Sequence, residues 1–134
     1  MKSKLILVGG GGHCKSCIDV IEAEGKFAII GIVDIPRKRG EKILGYEVIA
    51  NDQELPALME KYSNFLITMG QIKSPRARIK LYTQIKQLGG TFPIVVSPRA
   101  YVSRHALLGE GTIVMHDAIV NTSADIGKNC IIKG

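Results

Sequence analysis

The sequence predicts an α/β fold: a small Rossmann-like parallel-sheet domain, residues 1–96, followed by the first coils of a parallel β-helix, residues 97–134. In the first part, apolar runs that stop at glycine alternate with segments of helical spacing. This alternation is typical of strands that are buried on both faces of a parallel sheet. In the second part, aliphatic residues recur at every sixth position, which indicates a β-helix. Because the two parts have different periods, we expect two domains.

The first part begins with a strand, a glycine-rich loop, a helix and a second strand. Residues 4–8 are an apolar run that ends at four consecutive glycines, 9–12, called here the glycine loop. Apolar residues at helical spacing continue to Gly25, and a second apolar run, 27–33, ends at Asp34. This order predicts a β-α-β unit with a right-handed crossover.

The next elements are predicted from shorter signals. Residues 43–49 form one extended piece in this interpretation. Residues 52–62 are predicted to be helical, with Asn51 or Asp52 as the N-terminal cap.

A third strand, 65–69, is predicted to end at Gly70. The helix after it would have Ser74 as its cap and Pro75 at its first position. Residues 91–96 are predicted to complete the sheet as a fourth strand. The buried stripe of the helix is predicted to consist of Ile79, Tyr82, Ile85 and Leu88.

The glycine loop has the composition of a phosphate-binding loop, because glycine lets backbone N–H groups approach a phosphate at a helix N-terminus. Gly9 and Gly11 fit the first two positions of the dinucleotide fingerprint, and Cys14 stands where its third glycine belongs. Asp34 follows about 20 residues later, where an acid that binds ribose is expected. A tight turn without a ligand, and a turn role for Asp34 before Pro36, remain alternatives.

Ligands of parallel sheets bind where strands end and helices begin. Two loops of this kind carry functional residue types: the glycine loop with His13, and Gly70 with Gln71. His13 could form a hydrogen bond with a substrate or serve as a surface cap. The predicted substrate-binding residues are Gly9, Gly10, Gly11, Gly12, His13, Asp34 and Gly70.

The net charge of +6 arises from basic clusters, of which one lies near the glycine loop and one follows Asp34. These clusters suit an anionic ligand or a solvated surface. Nucleic acid is not expected, since aromatic residues make up 5% of the chain and tryptophan is absent. No apolar run is long enough to span a membrane.

Cys14 and Cys17 form a C-x-x-C pair at the start of the first helix. A redox pair and a zinc site are alternatives, but zinc needs four ligands and only three stand nearby. Buried thiols are the favoured interpretation, so we expect no metal. Cysteine usage without an export signal predicts a cytoplasmic protein.

Residues 97–134 divide into hexads with an aliphatic sixth position and a small fourth position. One hexad forms one flat side of a three-sided helix with its aliphatic residue pointing inward, so about 18 residues complete a coil. The sixth positions are Val102, Leu108, Val114, Val120, Ile126 and Ile132. The fourth positions are Ala100, Ala106, Thr112, Ala118, Ala124 and Cys130.

With these motifs in this order, the whole chain resembles the NeuD/PglD-type sugar acetyltransferases. The resemblance implies a left-handed β-helix and acetyl transfer from acetyl-CoA to an amino or hydroxyl group. The implied acceptor is a nucleotide-sugar such as a UDP-4-amino sugar, or a sialic acid. It also implies that the glycine loop, His13, Asp34 and Gly70 hold the nucleotide-sugar, and that the protein is a homotrimer.

The resemblance further implies a catalytic histidine, followed by an acid, that acts as general base. The family pattern places this histidine and most of the acetyl-CoA site beyond Gly134. His105 and His116 lie earlier and are expected to be exposed, so no catalytic residue is predicted and the 134 residues are expected to be inactive alone. The alternatives are a non-catalytic nucleotide-sugar-binding module and an inactive truncated remnant. An NAD-dependent oxidoreductase would leave the hexads unexplained.

Overall fold

The computed structural model describes residues 1–70 and 75–134, and its first half is a sheet flanked by helices. The predicted cap Ser74 and the predicted loop residue Gln71 lie outside the described residues. Strands pair in the order β3-β4-β2-β1-β5, and only β3 is antiparallel to its neighbour. The elements are β1 (Ser3–Val8), α1 (Gly12–Glu24), β2 (Phe27–Val33), β3 (Lys42–Ile43), β4 (Tyr46–Ala50), α2 (Leu55–Leu58), β5 (Phe65–Ile67) and α3 (Arg76–Gln87).

The β-α-β unit is confirmed. β1 pairs with β2 in parallel, and α1 connects them. The helix ends, as predicted, at Gly25, which has a φ of +74°. A left-handed glycine is the usual way in which a helix terminates, because it lets backbone N–H groups turn back to the last carbonyls.

The prediction of one extended piece over 43–49 is wrong. β3 and β4 form a hairpin instead, with Leu44 and Gly45 between them at φ values of +50° and +89°. Positive φ at both central residues is what a type I′ turn requires, and such turns match the twist of the strands.

The helix predicted over 52–62 is correctly placed but shorter than expected. A 3-10 turn (Asp52–Glu54) leads into α2, which ends at Leu58. Asn51 caps this segment as predicted, since its Oδ1 accepts the N–H of Gln53 at 2.9 Å.

α3 turns a different face to the core than predicted. Ile85 is fully buried, but Ile79 is 60% exposed and Leu88 is 42% exposed, so the predicted stripe is wrong at these two residues. Arg78, which is 2% exposed, is buried in their place. Its guanidinium donates to backbone carbonyls, and a buried polar group that is hydrogen-bonded in this way is tolerated.

The second half is a parallel β-helix built from two-residue strands. Ile119 pairs with Tyr101, Asp125 with Leu107 and Ile131 with Ile113, an offset of 18 residues each time. This offset confirms the three-sided coil. The strands are β6 (Val95–Val96), β7 (Tyr101–Val102), β8 (Leu107–Leu108), β9 (Ile113–Val114), β10 (Ile119–Val120), β11 (Asp125–Ile126) and β12 (Ile131–Ile132).

The inward direction of the sixth hexad position is confirmed. Val114 and Val120 are buried, and the other sixth-position residues pack against them in the same cluster. Small fourth-position residues complete this cluster: Ala100, Ala106, Ala118 and Ala124.

The prediction of a fourth sheet strand over 91–96 is wrong. Only β6 is a strand there, and it pairs with β9 of the β-helix. Thr91 forms a single bridge with Asn64 next to β5. The predicted division into 1–96 and 97–134 stays a prediction.

The sheet is covered on both faces, and the β-helix contributes to one of them. On one face, Leu5 and Leu7 of β1 lie in a cluster with α1 and with Val95 and Ile113 of the β-helix. On the other face, Ile6 and Val8 cluster with residues of α2 and α3. The two halves therefore share a core. Within residues 1–70 and 75–134, no helix has the length and apolar character that a membrane span requires.

Candidate functional site

A cleft of about 270 Å³ opens where β1, β2 and β5 end. Ligands of parallel sheets bind at this carboxyl edge. Of the predicted site residues, Gly9 and Asp34 line the cleft. Met69 contributes a second wall, and one face of α3 forms the third.

Gly9 closes the sheet edge and has no space for a side chain. Its φ is +117°, and a Cβ on it would lie 2.8 Å from both the N and the Cβ of Met69. Its N–H donates to the carbonyl of Val33 at 2.8 Å. Its own carbonyl accepts the hydroxyl of Thr68 at 2.7 Å. Gly9 therefore ties together the ends of all three strands.

Asp34 is bonded to the glycine loop. Its Oδ2 accepts the N–H of Gly10 at 2.8 Å, and its Oδ1 accepts the N–H of Ile35 at 2.7 Å. Lys38 Nζ lies 3.6 Å from Oδ2. The carboxylate thus holds the loop in place, and its contact with a ribose stays a prediction.

Gly11 and Gly12 are the open part of the glycine loop. A Cβ on either residue would meet no atom within 4 Å. Gly11 is the N-cap of α1, and the first turn of that helix holds no acidic residue. The backbone N–H groups of a helix N-terminus carry partial positive charge, so this end of α1 can accept an anion.

His13 contacts Cys17 and does not line the cleft. Its Nε2 lies 3.2 Å from Cys17 Sγ. Burial, together with the neighbouring Cys14, raises the pKa of Cys17 to about 12, so the thiol keeps its proton and shares a hydrogen bond with Nε2. Burial, with the charges of Arg78 and Lys133, lowers the pKa of His13. The ring is therefore neutral near pH 7.

Several lining residues were missed by the sequence reasoning. Gly70 is a predicted site residue, but the cleft is lined by its neighbour Met69 instead. Asp52, at the start of the 3-10 turn, also lines the cleft. A signal for part of this set was present, since the lining residues of α3 have the spacing of a single helix face. These residues are Ala77, Lys80, Leu81 and Gln84.

The C-x-x-C pair has the properties of buried thiols. Cys14 and Cys17 are both buried and free. Burial raises the pKa of both, and a thiol that keeps its proton is a poor redox nucleophile. Across the described part of the chain, no group of three His, Cys, Asp or Glu side chains is placed to hold a metal ion.

His116 lies between the two halves and is not an exposed histidine as expected. Its Nδ1 is 2.5 Å from Ser97 Oγ, and its Nε2 is 2.9 Å from Asp19 Oδ2 on α1. Its side chain is 27% exposed. Since both ring nitrogens are engaged by the protein, this histidine is a structural link.

The comparison with family models decides the assignment. The model of the PglD N-terminal domain matches residues 4–85, which is more than half of the chain. The chain belongs to the PglD N-terminal domain family. A search of curated protein sequences returned no significant match.

Solved structures agree with this PglD-family assignment. A variant of perosamine N-acetyltransferase from Caulobacter crescentus, in complex with CoA and GDP-perosamine, has 32% identity and a TM-score of 0.86 over 96% of this chain. The acetyltransferase domain of PglB from Neisseria gonorrhoeae FA1090, in complex with acetyl coenzyme A, has 27% identity and a TM-score of 0.85 over 98% of this chain. The PglD-family chain spans 59% of the first protein's length and 62% of the second's.

Proposed function

We propose that this chain is the nucleotide-sugar-binding part of an acetyl-CoA-dependent sugar acetyltransferase. The observation that carries the proposal is the glycine-loop cleft joined, through one shared core, to a hexapeptide β-helix. The perosamine N-acetyltransferase and the PglB domain, solved with CoA or acetyl coenzyme A, support acetyl-CoA as the co-substrate. The GDP-perosamine in the first structure supports a nucleotide-sugar as the acceptor.

Each part of the site has a role in this proposal. The diphosphate binds the N–H groups of Gly11 and Gly12 at the positive end of α1. The nucleoside lies in the cleft beside Asp34 and Lys80. His13, whose ring is neutral, forms a hydrogen bond with the sugar.

The acceptor group in this proposal is an amine on the sugar. The perosamine N-acetyltransferase, which was solved with GDP-perosamine, favours a nucleotide-linked amino sugar over a sialic acid. The amine nitrogen would attack the thioester carbonyl, so that an amide bond forms and the C–S bond breaks. Coenzyme A would leave as its thiol, whose proton balances the one that the amine loses. His116 is not proposed as the base, because Ser97 and Asp19 occupy its ring nitrogens.

We also propose that the protein assembles as a homotrimer through the β-helix. Three large apolar side chains at the fifth hexad position are exposed there: Tyr101 at 59%, Leu107 at 67% and Ile119 at 66%. Tyr101 and Ile119 are neighbours on one side of the coil, and Leu107 lies on the next side. Large apolar side chains exposed on neighbouring sides are typical of interaction surfaces.

Calorimetric titration with UDP, GDP and CMP tests the binding role. We expect saturable binding that Gly12→Asp abolishes, because its carboxylate would occupy and repel the anion at the start of α1. The fold should survive this change, since an acidic residue stabilises a helix N-terminus. Asn121→Asp adds the same charge on an exposed coil residue and should leave binding unchanged.

Absence of binding by the wild-type chain at millimolar nucleotide would contradict the proposal. An acetyl-transfer assay on the native protein, with acetyl-CoA and a UDP- or GDP-linked amino sugar, distinguishes a transferase from a binding module.

A further inference from the structure

Arg78 is a buried cation that the proposed function does not use. It is 2% exposed, and no Asp or Glu within residues 1–70 and 75–134 forms an ion pair with it. Its hydrogen bonds go to backbone carbonyls. Nη1 donates to Met69 at 2.5 Å and is 3.4 Å from the carbonyl of Ile67, while Nη2 donates to Asn129 at 2.7 Å.

Nη1 of this guanidinium donates to Met69, in the segment that packs against the glycine loop. Met69 is the residue against which Gly9 packs, at a distance that excludes a Cβ. The adjacent Thr68 donates its hydroxyl to the carbonyl of Gly9 and its N–H to the carbonyl of Val8. The segment after β5 is therefore bonded directly to the start of the glycine loop.

The other side of the guanidinium holds a corner of the β-helix. Asn129 has a φ of +55°, and its N–H donates to the carbonyl of Glu110 in the preceding coil at 2.9 Å. Glu110 in turn accepts the hydroxyl of Tyr82 and pairs with Lys86 at 3.2 Å, so α3 reaches this corner along its length. Arg78 is the buried member of this contact.

We propose that Arg78 is a positioning residue that fixes the glycine loop against the β-helix corner at Asn129. A ligand held by the loop would then be presented to the coils at one distance and in one orientation. The guanidinium suits this role because it is a planar fork that can donate to two carbonyls at once, which an ammonium on a flexible stem does not reproduce. The statement about a ligand rests on the proposed function, whereas the positioning role does not need one.

The test uses Arg78→Lys and Arg78→Gln, with Arg104→Lys as the matched control at an exposed arginine of the β-helix. NMR hydrogen exchange reports on two pairs of hydrogen-bonded amides. Gly9 and Gly10 report on the loop, and Asn129 and Cys130 report on the corner.

Without a ligand, Arg78→Lys should speed exchange at both pairs at least tenfold, and Arg104→Lys should change neither. With saturating UDP or GDP, the wild-type chain should slow exchange at both pairs, whereas Arg78→Lys should slow it at the loop pair only. If Arg78 were only structural, its replacement would not remove the effect of nucleotide on exchange at the corner pair.

Acceleration at only one pair, or at neither, would overturn the proposal. The proposal would also be overturned if nucleotide slowed exchange in the wild-type chain at the loop pair but not at the corner pair. Failure of both Arg78 variants to fold, while Arg104→Lys folds, would overturn it as well. If neither nucleotide binds the wild-type chain, the proposed function fails, and the exchange rates without a ligand still decide the positioning role.

Discussion

Gly9 and Gly12 belong to the same loop but differ in the space available for a side chain. Gly9 has a positive φ and packs directly on Met69, whereas a Cβ on Gly12 would meet no atom within 4 Å. One glycine is needed by the fold, and the other leaves space that a ligand could use.

Gly9→Ala should therefore lower the free energy of unfolding by about 2 to 4 kcal/mol, since it combines backbone strain with a clash. Gly12→Ala should change it by less than about 1 kcal/mol, because alanine is tolerated at a helical position. Urea unfolding followed by circular dichroism measures both. Equal effects would show that the loop does not have the two parts described.

The lowered pKa of His13 predicts that the stability of the protein depends on pH. Burial, followed by the charges of Arg78 and Lys133, holds its pKa below the usual value, so the unfolded chain binds this proton more readily than the folded chain. The stability that this residue contributes is present above its unfolded pKa of about 6.5 and is lost as the pH falls through its folded pKa.

Between about pH 7.5 and about pH 5, the free energy of unfolding should fall more steeply for the wild type than for His13→Gln. Denaturant unfolding at several pH values gives the two slopes. His105→Gln, on an exposed residue of the β-helix, is the control. Identical slopes for wild type and His13→Gln would contradict the prediction.

At the scale of the element, each β-helix strand has one inward and one outward residue. Val114 is fully buried in the coil interior, whereas Ile119 of a neighbouring side is 66% exposed. Val114→Ala should lower the free energy of unfolding by about 2 kcal/mol, because it removes buried methyl groups and leaves a cavity. Ile119→Ala should lower it by less than about 0.5 kcal/mol in the monomer. Thermal or urea unfolding at low protein concentration compares them, and a larger loss at Ile119 would reverse the assignment of faces.

The secondary-structure elements also show which sequence patterns were sufficient to predict the buried residues. The hexad period placed every aliphatic sixth position inward, because a residue type repeated at each side of a coil has only one direction in which all copies are buried. The stripe of α3 failed at Ile79 and Leu88, because helical spacing counts apolar residues and overlooks a buried arginine. Arg78 donates to the carbonyl of Met69, two residues after β5, and to that of Asn129 in the β-helix, which is 51 residues away in sequence.

At the scale of the whole molecule, the two halves should unfold together. Val95 and Ile113 of the β-helix lie in one cluster with α1 and β1, and His116 bonds to Asp19 on α1. Separating the halves would expose this shared apolar surface, so an intermediate with only one half folded should not be populated.

Scanning calorimetry should show one transition whose van't Hoff and calorimetric enthalpies agree. Tyrosine fluorescence and far-UV circular dichroism should give the same midpoint. Two resolved transitions would show that the halves are independent.

Patterns in the sequence were enough to predict the order of most elements, the glycine loop at the start of α1 and the three-sided coil. These features depend on the spacing of residue types along the chain, which can be read without knowing any tertiary contact. The place of β6 in the β-helix and the bond between Asp34 and Gly10 became known only from the folded structure. That structure also placed Arg78 between the loop and the coils. Each of these depends on contacts between residues far apart in the chain, and no period in the sequence records them.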